Sequence, residues 1–198
     1  MQIAIIKYNA GNIFSVENAL RRIGQEAVLT DNPAALRAAD RVIFPGVGEA
    51  STTMRYLRER GLDEVIRSLR QPVLGICIGL QLLCAHSEEG DTPCLGIFGE
   101  RVRLLRAEGL KVPHMGWNTV EATAPAEPLL AGLGAAPYAY YVHSYGAEVG
   151  ASTIATTTYG QPFSAALRRG NFYAVQFHPE KSAEVGERLL RSFLGAEV

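Results

Sequence analysis

Cys77 lies between two glycines in the stretch GICIGLQLLCAH, residues 75–86. An apolar, strand-like run precedes it and a helix-like run follows, an arrangement that has the form of a nucleophile elbow. At such a turn the positive end of the helix dipole favours the thiolate, and the N–H of Ile78 points to where an oxyanion would form. The five residues 75–79 fit equally well a buried cysteine that ends a core strand.

His178 is the histidine best placed to serve such a cysteine as a base. It lies in AVQFHPEKS, where an apolar strand ends. If the strand continues through Pro179, His178 and Glu180 project to the same side, because side chains alternate along a strand. A carboxylate there would hold the imidazole tautomer and stabilise its cation. Taken alone, His178 fits a buried core histidine better; together with the elbow cysteine, a Cys-His-Glu triad is favoured. His86 is expected to lie too far along the chain from the elbow.

The stretch FPGVG, residues 44–48, ends another predicted strand. Its two glycines could bring backbone N–H groups close to a substrate, at the strand end where ligands bind in open α/β sheets. An ordinary strand-to-helix turn explains the same residues.

The first half of the chain alternates short β-branched runs with amphipathic stretches, which predicts a parallel sheet covered by helices. Strands are expected in QIAIIK, EAVLT, RVIF and PVLGI, and helices in ASTTMRYLRER and LDEVIRSLR. Asn12 is a predicted N-cap for a helix over 13–23 that Gly24 closes. Asn32 and Pro33 are predicted to start a short helix.

After Ser87 the pattern changes to short alternating segments punctuated by glycine and proline. These segments predict antiparallel ribbons and edge strands added to the same sheet, and AEVGERLLRSFL predicts a last helix. No repeat or linker interrupts the pattern. We therefore expect one α/β domain over residues 1–198, with a mixed, mostly parallel sheet flanked by helices and antiparallel additions in the C-terminal half.

Composition narrows the classes of partner. Of the 198 residues, 47% are hydrophobic and 20% are charged, and the formal net charge is −1. These values are ordinary for a globular protein and argue against nucleic acid or a membrane as the main partner. Three cysteines without disulfide or metal-ligand spacing, and an N-terminus without an export signal, favour the cytoplasm.

GICIGLQ, with HPE about a hundred residues later and PGVG before it, resembles the class I (triad) glutamine amidotransferases, which hydrolyse the side-chain amide of glutamine. Within that family, YNAGNIFSV, KVPHMGWN and YYVHSY are similar to the branch of glutaminase subunits of imidazole glycerol phosphate synthases. The resemblance covers essentially the whole chain and implies a flavodoxin-like fold. Anthranilate and aminodeoxychorismate synthase components share the elbow and HPE but are not expected to carry KVPHMGWN with YYVHSY.

The resemblance assigns roles to individual residues. Its triad falls on Cys77, His178 and Glu180, and its oxyanion donors on the N–H groups of Val47 and Ile78. Its glutamine contacts fall on six residues: Gly46, Gly48, Gln81, Glu89, Ser144 and Tyr145.

The chemistry that the resemblance implies needs no metal or organic cofactor. Because ammonia released into water would be protonated, a partner is expected to receive it, and the resemblance supplies a (β/α)₈-barrel cyclase as the other half of a heterodimer. The residues expected at that interface are Asn12, Pro113, Met115, Trp117, Asn118 and Lys181. The aromatic and apolar members could instead be core, and Lys181 could simply be solvated.

Two further interpretations follow from the same residues. The Gly-x-Gly of PGVG could let one peptide rotate, so that an oxyanion N–H aligns only when the cyclase and its ligand bind. Outside catalysis, Cys77 could be a redox-sensing thiol on the same fold. Glu180 beside His178 counts against a sensor, which needs no oriented base.

Overall fold

The computed structural model of the chain describes residues 1–8, 13–106, 108–123, 127–134 and 137–195. The helices in these ranges are α1 Ile13–Arg22, α2 Pro33–Ala38, α3 Ala50–Glu59, α4 Leu62–Ser68, α5 Ile78–Leu83 and α6 Ala183–Gly195, with 3-10 turns at Glu89–Asp91 and Pro179–Lys181. The strands of the first half are β1 Ile3–Ile6, β2 Ala27–Thr30, β3 Arg41–Phe44, β4 Val73–Ile76, β5 His86–Ser87 and β6 Thr92–Pro93. The later strands are β7 Arg101–Leu104, β8 His114–Thr119, β9 Glu121–Ala122, β10 Tyr138–His143, β11 Tyr145–Ala147, β12 Thr153–Tyr159, β13 Gln161–Arg169 and β14 Phe172–Val175.

One large sheet organises the chain. Its strand order is β2-β1-β3-β4-β14-β13-β12-β9. The pairs from β2 to β14 are parallel and the remaining pairs are antiparallel. The predicted mixed, mostly parallel sheet with antiparallel additions is therefore confirmed.

Both faces of the parallel strands are buried, which explains their continuous apolar runs. Along β1, Ile3 and Ile5 pack into the cluster formed with α1 and α6. Ala4 and Ile6 pack into the cluster formed with the helices from α2 to α5. The period-two alternation of a strand thus serves two cores at once.

The expectation that all later strands join this sheet is wrong. β10 and β8 form a separate two-stranded ribbon, and β11, β7, β5 and β6 form a small sheet of their own. The ribbon covers the α1 and α6 side of the large sheet, where Ala139 and Tyr141 join that core. Alternation predicts that a segment pairs, but it does not say with which sheet.

The helix boundaries largely follow the predicted caps. The Asn32 side chain accepts hydrogen bonds from the N–H groups of Ala34 and Ala35, which confirms it as an N-cap. Gly24, at φ +77°, ends α1 in the left-handed conformation. The predicted N-cap Asn12 lies outside the described residues. None of the helices that the structure describes is long and apolar enough to cross a membrane.

The glycines of the predicted elbow are needed for close approach. A Cβ on Gly79 would lie 2.1 Å from the Phe44 carbonyl oxygen, and one on Gly75 would lie 2.7 Å from a Leu83 methyl group. Glycine at both positions lets α5 start directly against β3 and β4. The left-handed conformation falls on Cys77 between them.

We predict that Gly79→Ala lowers the free energy of unfolding by about 1–3 kcal/mol, because the methyl group must displace backbone. Urea unfolding followed by circular dichroism measures the loss. Gly99→Ala is the matched control, since no atom lies within 4 Å of a Cβ added there. Equal stability of the two variants would contradict this packing argument.

Candidate active site

The predicted nucleophile, base and oxyanion segment follow three adjacent strands of the large sheet. PGVG follows β3, Cys77 follows β4, and His178 lies shortly after β14. Since these strands are parallel neighbours, their carboxyl ends meet at one edge of the sheet. The topology therefore gathers segments that lie as far apart in the chain as Gly48 and His178.

Cys77 occupies a strained turn. Its φ of 53° and ψ of −105° are rarely adopted by residues with a side chain and cost on the order of 1–3 kcal/mol. The Cys77 N–H donates to the Val175 carbonyl at 2.8 Å, and the Gln81 N–H donates to the Cys77 carbonyl at 3.2 Å. Strand and helix thus hold the turn from both sides and display the sulfur between them.

The Cys77 sulfur has a polar neighbour that the sequence analysis missed. Gln176 Nε2 lies 3.5 Å from Sγ, and Gln176 Oε1 accepts from Gln81 Nε2 at 3.2 Å. Gln176 is fully buried, two residues before His178. The sequence does carry a signal for Gln176: it is a polar residue at the end of an apolar strand, two residues before His178.

His178 and Glu180 meet as a buried pair. His178 Nδ1 lies 2.8 Å from Glu180 Oε1, and the two side chains are 1% and 2% exposed. The expectation that the strand continues through Pro179 is wrong. β14 ends at Val175, and Pro179 begins a 3-10 turn that brings the two side chains together. Proline suits the first position of such a turn because its φ is already set.

The backbone around His178 is anchored from two directions. The His178 N–H donates to the Tyr140 carbonyl at 2.9 Å, and the Ser182 hydroxyl donates to the His178 carbonyl at 2.7 Å. Gly186 of α6 lies so close to Pro179 that a Cβ would meet the Pro179 carbonyl oxygen at 1.8 Å. The ring position is thereby set by β10 and α6.

The electrostatics of the pair favour a charged imidazole. Burial by itself lowers the pKa of His178, but hydrogen bonds and charge interactions with Cys77 and Glu180 favour the cation and raise the pKa to about 10. His178 Nε2, the nitrogen opposite Glu180, is buried and has no hydrogen-bond partner among the described residues. The ring can therefore hold a proton and pass it on at Nε2.

A cleft of about 290 Å³ opens beside the sulfur. Eight of the predicted site residues line it: Val47, Gly48, Cys77, Ile78, Gln81, Glu89, Ser144 and Tyr145. His178 and Glu180 are not part of this lining. A substrate in the cleft would therefore meet the sulfur, while the imidazole and the carboxylate lie buried behind it.

Gly46 supports the cleft from below. A Cβ on Gly46 would lie 2.0 Å from an Ile78 side-chain carbon and 2.1 Å from the Tyr8 hydroxyl. The Tyr8 hydroxyl donates to the Pro45 carbonyl at 2.6 Å, a contact that the sequence analysis missed. Burial and the nearby Cys77 raise the pKa of Tyr8, so its hydroxyl stays a donor.

Two polar side chains of the cleft are oriented by backbone groups. Gln81 Nε2 donates to the Tyr145 carbonyl at 2.7 Å. Glu89 Oε2 accepts from the Ala50 N–H at 2.7 Å, and burial raises the pKa of Glu89 in spite of that hydrogen bond. Both side chains are thus held in fixed positions before any substrate enters.

The predicted partner residues lie around the β8–β10 ribbon. On its outer face Met115 and Trp117 are 63% and 50% exposed, and Trp117 packs edge-on against Tyr140, with ring centroids 6.1 Å apart. Lys181 Nζ lies 5.8 Å from the centre of the Tyr140 ring. We call Met115, Trp117, Tyr138 and Tyr140 the outer face.

The other two described residues predicted at the interface lie differently. Pro113 lies at the cleft. Asn118 turns toward the inner side of the ribbon, where its Nδ2 donates to the Thr158 carbonyl at 3.0 Å.

His86, Cys84 and Cys94 are not among the residues that line the cleft. His86 Nε2 lies 2.9 Å from Asp91 Oδ1, as expected of a histidine beyond the elbow helix. Cys84 and Cys94 are buried free thiols, and burial raises the pKa of both. Among the described residues, no group of three or more His, Cys, Asp or Glu side chains could hold a metal ion.

Comparison with known proteins gives consistent matches over nearly the whole chain. The family model described as glutamine amidotransferase class-I matches residues 4–196. The imidazole glycerol phosphate synthase subunit HisH of Bacteroides fragilis is 56% identical over 196 residues, covering 98% of this chain and 99% of the relative. The protein of the same name from Idiomarina loihiensis is 46% identical, covering 98% and 97%. A solved glutamine amidotransferase superposes with a TM-score of 0.73 at 25% identity, covering 96% of each chain.

The raised pKa of His178 predicts how Glu180→Gln changes stability with pH. A cation whose pKa rises on folding stabilises the fold fully below its unfolded value of 6.5, and this stabilisation is lost as the pH rises through about 10. Glu180→Gln removes the carboxylate whose hydrogen bond and charge favour the cation. The stability difference between wild type and variant should therefore be largest near pH 6 and shrink toward pH 10.

Urea unfolding at several pH values across that window measures the difference. Glu184→Gln is the matched control, since this carboxylate is 76% exposed and pairs with Arg188. A wild-type advantage over Glu180→Gln that stays constant with pH would contradict a charged His178.

Proposed function

Because the chain belongs to the class I glutamine amidotransferase family, we propose that it is the glutaminase subunit of an imidazole glycerol phosphate synthase. It hydrolyses glutamine to glutamate and ammonia. The ammonia passes to a cyclase subunit, which makes imidazole glycerol phosphate and aminoimidazole carboxamide ribotide. The observation that carries the proposal is the Cys77 sulfur, displayed at a strained turn against the buried His178–Glu180 pair. Both relatives described above are subunits of imidazole glycerol phosphate synthase, which favours this synthase over the anthranilate and aminodeoxychorismate enzymes.

The first half-reaction forms a thioester. The Cys77 thiolate attacks the carboxamide carbon of glutamine, and the carbonyl oxygen becomes an oxyanion. The N–H groups of Val47 and Ile78 hold this oxyanion; both residues line the cleft beside the sulfur. His178 then gives its Nε2 proton to the departing nitrogen. The C–N bond breaks, ammonia leaves, and a γ-glutamyl thioester remains on Cys77.

The second half-reaction releases glutamate. The neutral imidazole of His178 takes a proton from water, and the resulting hydroxide attacks the thioester carbon. The C–S bond breaks, and the thiolate and imidazolium are restored. Glu180 accepts the Nδ1–H of His178 throughout, so the ring keeps one orientation as its charge changes.

The cleft supplies the groups that would recognise glutamine. Glu89 offers a carboxylate to a cationic α-amino group, and Gly48, Gln81, Ser144 and Tyr145 form the rest of its wall. Gly46 acts from beneath, because its missing side chain leaves room for Tyr8 and Ile78. The positions of Gln81 and Glu89 are fixed by the backbone, so little ordering is needed when glutamine binds.

The outer face of the ribbon is the proposed docking surface for the (β/α)₈-barrel cyclase. The three aromatic side chains and the methionine of this face have the composition of an interface core. Pro113 connects this surface to the cleft, and Lys181 extends it with a positive charge. A partner seated there would cover the cleft and receive the ammonia before it is protonated.

The PGVG segment is the proposed switch. Gly48 has a φ of +152°, a conformation that glycine adopts most readily. The Tyr8 hydroxyl donates to the carbonyl of Pro45, the first residue of this segment. A rotation of the peptide between these points would align or misalign the Val47 N–H, and binding of the cyclase with its ligand would select the aligned state.

We predict that Cys77→Ala abolishes glutamine hydrolysis and that His178→Asn costs nearly as much, because the members of a triad act as a unit. Glutamate release by the complex of each variant with the cyclase measures both. Cys84→Ala is the control, since Cys84 is a buried core thiol outside the cleft and should leave turnover near that of wild type. Retained turnover in Cys77→Ala would remove Cys77 from the mechanism.

We predict that Trp117→Ala weakens binding of the cyclase roughly tenfold or more, the usual size for a buried aromatic anchor. Isothermal titration calorimetry with the purified cyclase measures the Kd. Val28→Ala is the matched control, because Val28 is equally exposed, at 51%, but lies on the distant edge strand β2. Equal Kd values for Trp117→Ala and wild type would contradict docking of the cyclase on the outer face.

A further inference from the structure

Two buried histidines form a pair at the wall of the cleft. His114 and His143 stand opposite each other on β8 and β10, with His114 Nδ1 3.1 Å from His143 Nε2. They are 3% and 6% exposed. Neither belongs to the triad.

From this pair we infer a one-way hydrogen-bond chain, Asn118 to His114 to His143 to the Tyr145 carbonyl, that positions the wall of the glutamine cleft. The inference rests on the proposed function, because it assigns positioning residues to the glutamine site. His143 and Tyr145 line the cleft, whereas His114 and Asn118 lie behind it.

The direction of the chain follows from its ends. The Tyr145 carbonyl can only accept, so His143 Nδ1, 2.8 Å away, donates to it. A neutral His143 then has an unprotonated Nε2, and His114 Nδ1 donates to that nitrogen. His114 Nε2 is left to accept from Asn118 Nδ2 at 3.4 Å. Both rings therefore carry their single proton on Nδ1.

The far end of the chain is fixed as well. Asn118 Oδ1 accepts from the Thr119 N–H at 2.8 Å, and Nδ2 also donates to the Thr158 carbonyl at 3.0 Å. These contacts allow only one orientation of the amide, with its NH₂ group toward His114. The donor end of the chain is thus set by the backbone, as the acceptor end is.

The surroundings keep both rings neutral. Burial lowers the pKa of His114 to about 4 and, together with the neighbouring His114 and His178, lowers the pKa of His143 to about 3. A neutral His143 avoids repulsion with the His178 cation that the triad needs. Its one proton is then available to the Tyr145 carbonyl.

The chain ends at a shared acceptor of the cleft. The Tyr145 carbonyl also accepts from Gln81 Nε2 at 2.7 Å, so the two donors together fix this peptide group. Loss of the His143 donor would loosen both Tyr145 and Gln81. The cost should appear in glutamine binding, as a rise of about threefold to tenfold in KM, with kcat changed by less than about twofold.

The first test reads the tautomers directly. Two-dimensional ¹H–¹⁵N spectra of the full chain at neutral pH distinguish Nδ1–H, Nε2–H and cationic rings, and substitution of each of the four histidines assigns the signals. We expect His114 and His143 to be neutral with the proton on Nδ1. His86 is the internal control for the opposite tautomer, because its Nδ1 accepts from Arg101 and its Nε2 donates to Asp91. A proton on Nε2, or a cationic form, of either His114 or His143 would contradict the proposed hydrogen-bond chain.

The second test separates hydrogen bonding from packing. His114 stacks on Tyr159, with ring centroids 4.0 Å apart, and on Tyr141 at 4.9 Å. His114→Phe keeps the aromatic stack but loses the donor; His114→Asn loses the stack but keeps an N–H near the position of Nδ1. If hydrogen bonding is what matters, His114→Phe should raise the KM for glutamine, and His114→Asn should keep it within about twofold of the wild-type value.

If His114 acts only by packing, His114→Asn should raise the KM more than His114→Phe does. That result, or equal KM values for the two variants, would overturn the inference. Glutamine kinetics of the complex with saturating cyclase measure KM and kcat, with His86→Gln as a control that should match wild type. If the wild-type complex does not turn over glutamine, the proposed function is refuted instead. The tautomer measurement would still decide whether the hydrogen-bond chain exists.

Discussion

The proposed chemistry depends on one constraint, the backbone turn at Cys77. A cysteine at φ 53° is held there at a cost of about 1–3 kcal/mol. Packing offsets this cost: Gly79 lies against the Phe44 carbonyl, Gly75 against Leu83, and the Cys77 N–H donates to Val175. Because these contacts join β3, β4 and β14, the same strands that hold the turn also bring PGVG and His178 to the sulfur.

The charges of the site are distributed by burial and by hydrogen-bond direction. His178 is stabilised as a cation by its interactions with Cys77 and Glu180, whereas burial keeps His143 and His114 neutral. Three histidines close together therefore have two different roles: one moves a proton, and two transmit a fixed orientation to the cleft. The β8–β10 ribbon carries this orienting pair on its inner face and the proposed docking surface on its outer face.

Residue patterns were sufficient to predict the first half of the fold, because parallel strands and capped helices leave local signals. Asn32, Pro33 and Gly24 mark element ends through their own backbone chemistry, and each does so in the structure. The separate ribbon could not be predicted, because alternation along Tyr138–His143 is the same whichever sheet the strand joins. The His178–Glu180 contact was expected from strand alternation but arises from a 3-10 turn at Pro179, since local spacing alone does not distinguish the two. Tyr8 could not be found from the sequence, because it acts through one long-range hydrogen bond that leaves no local pattern. Gln176 leaves a local signal, a polar residue at the end of an apolar strand, but its contact with Cys77 is long-range.

The central claim is that this chain is a glutaminase whose oxyanion site is completed by its partner. The most direct measurement is glutamate release from glutamine by the purified chain alone, and then with the cyclase and its nucleotide substrate or product. We expect turnover to appear mainly in the ligand-loaded complex. Equal turnover by the free chain would contradict completion of the site by the partner, and no turnover under either condition would contradict the glutaminase itself.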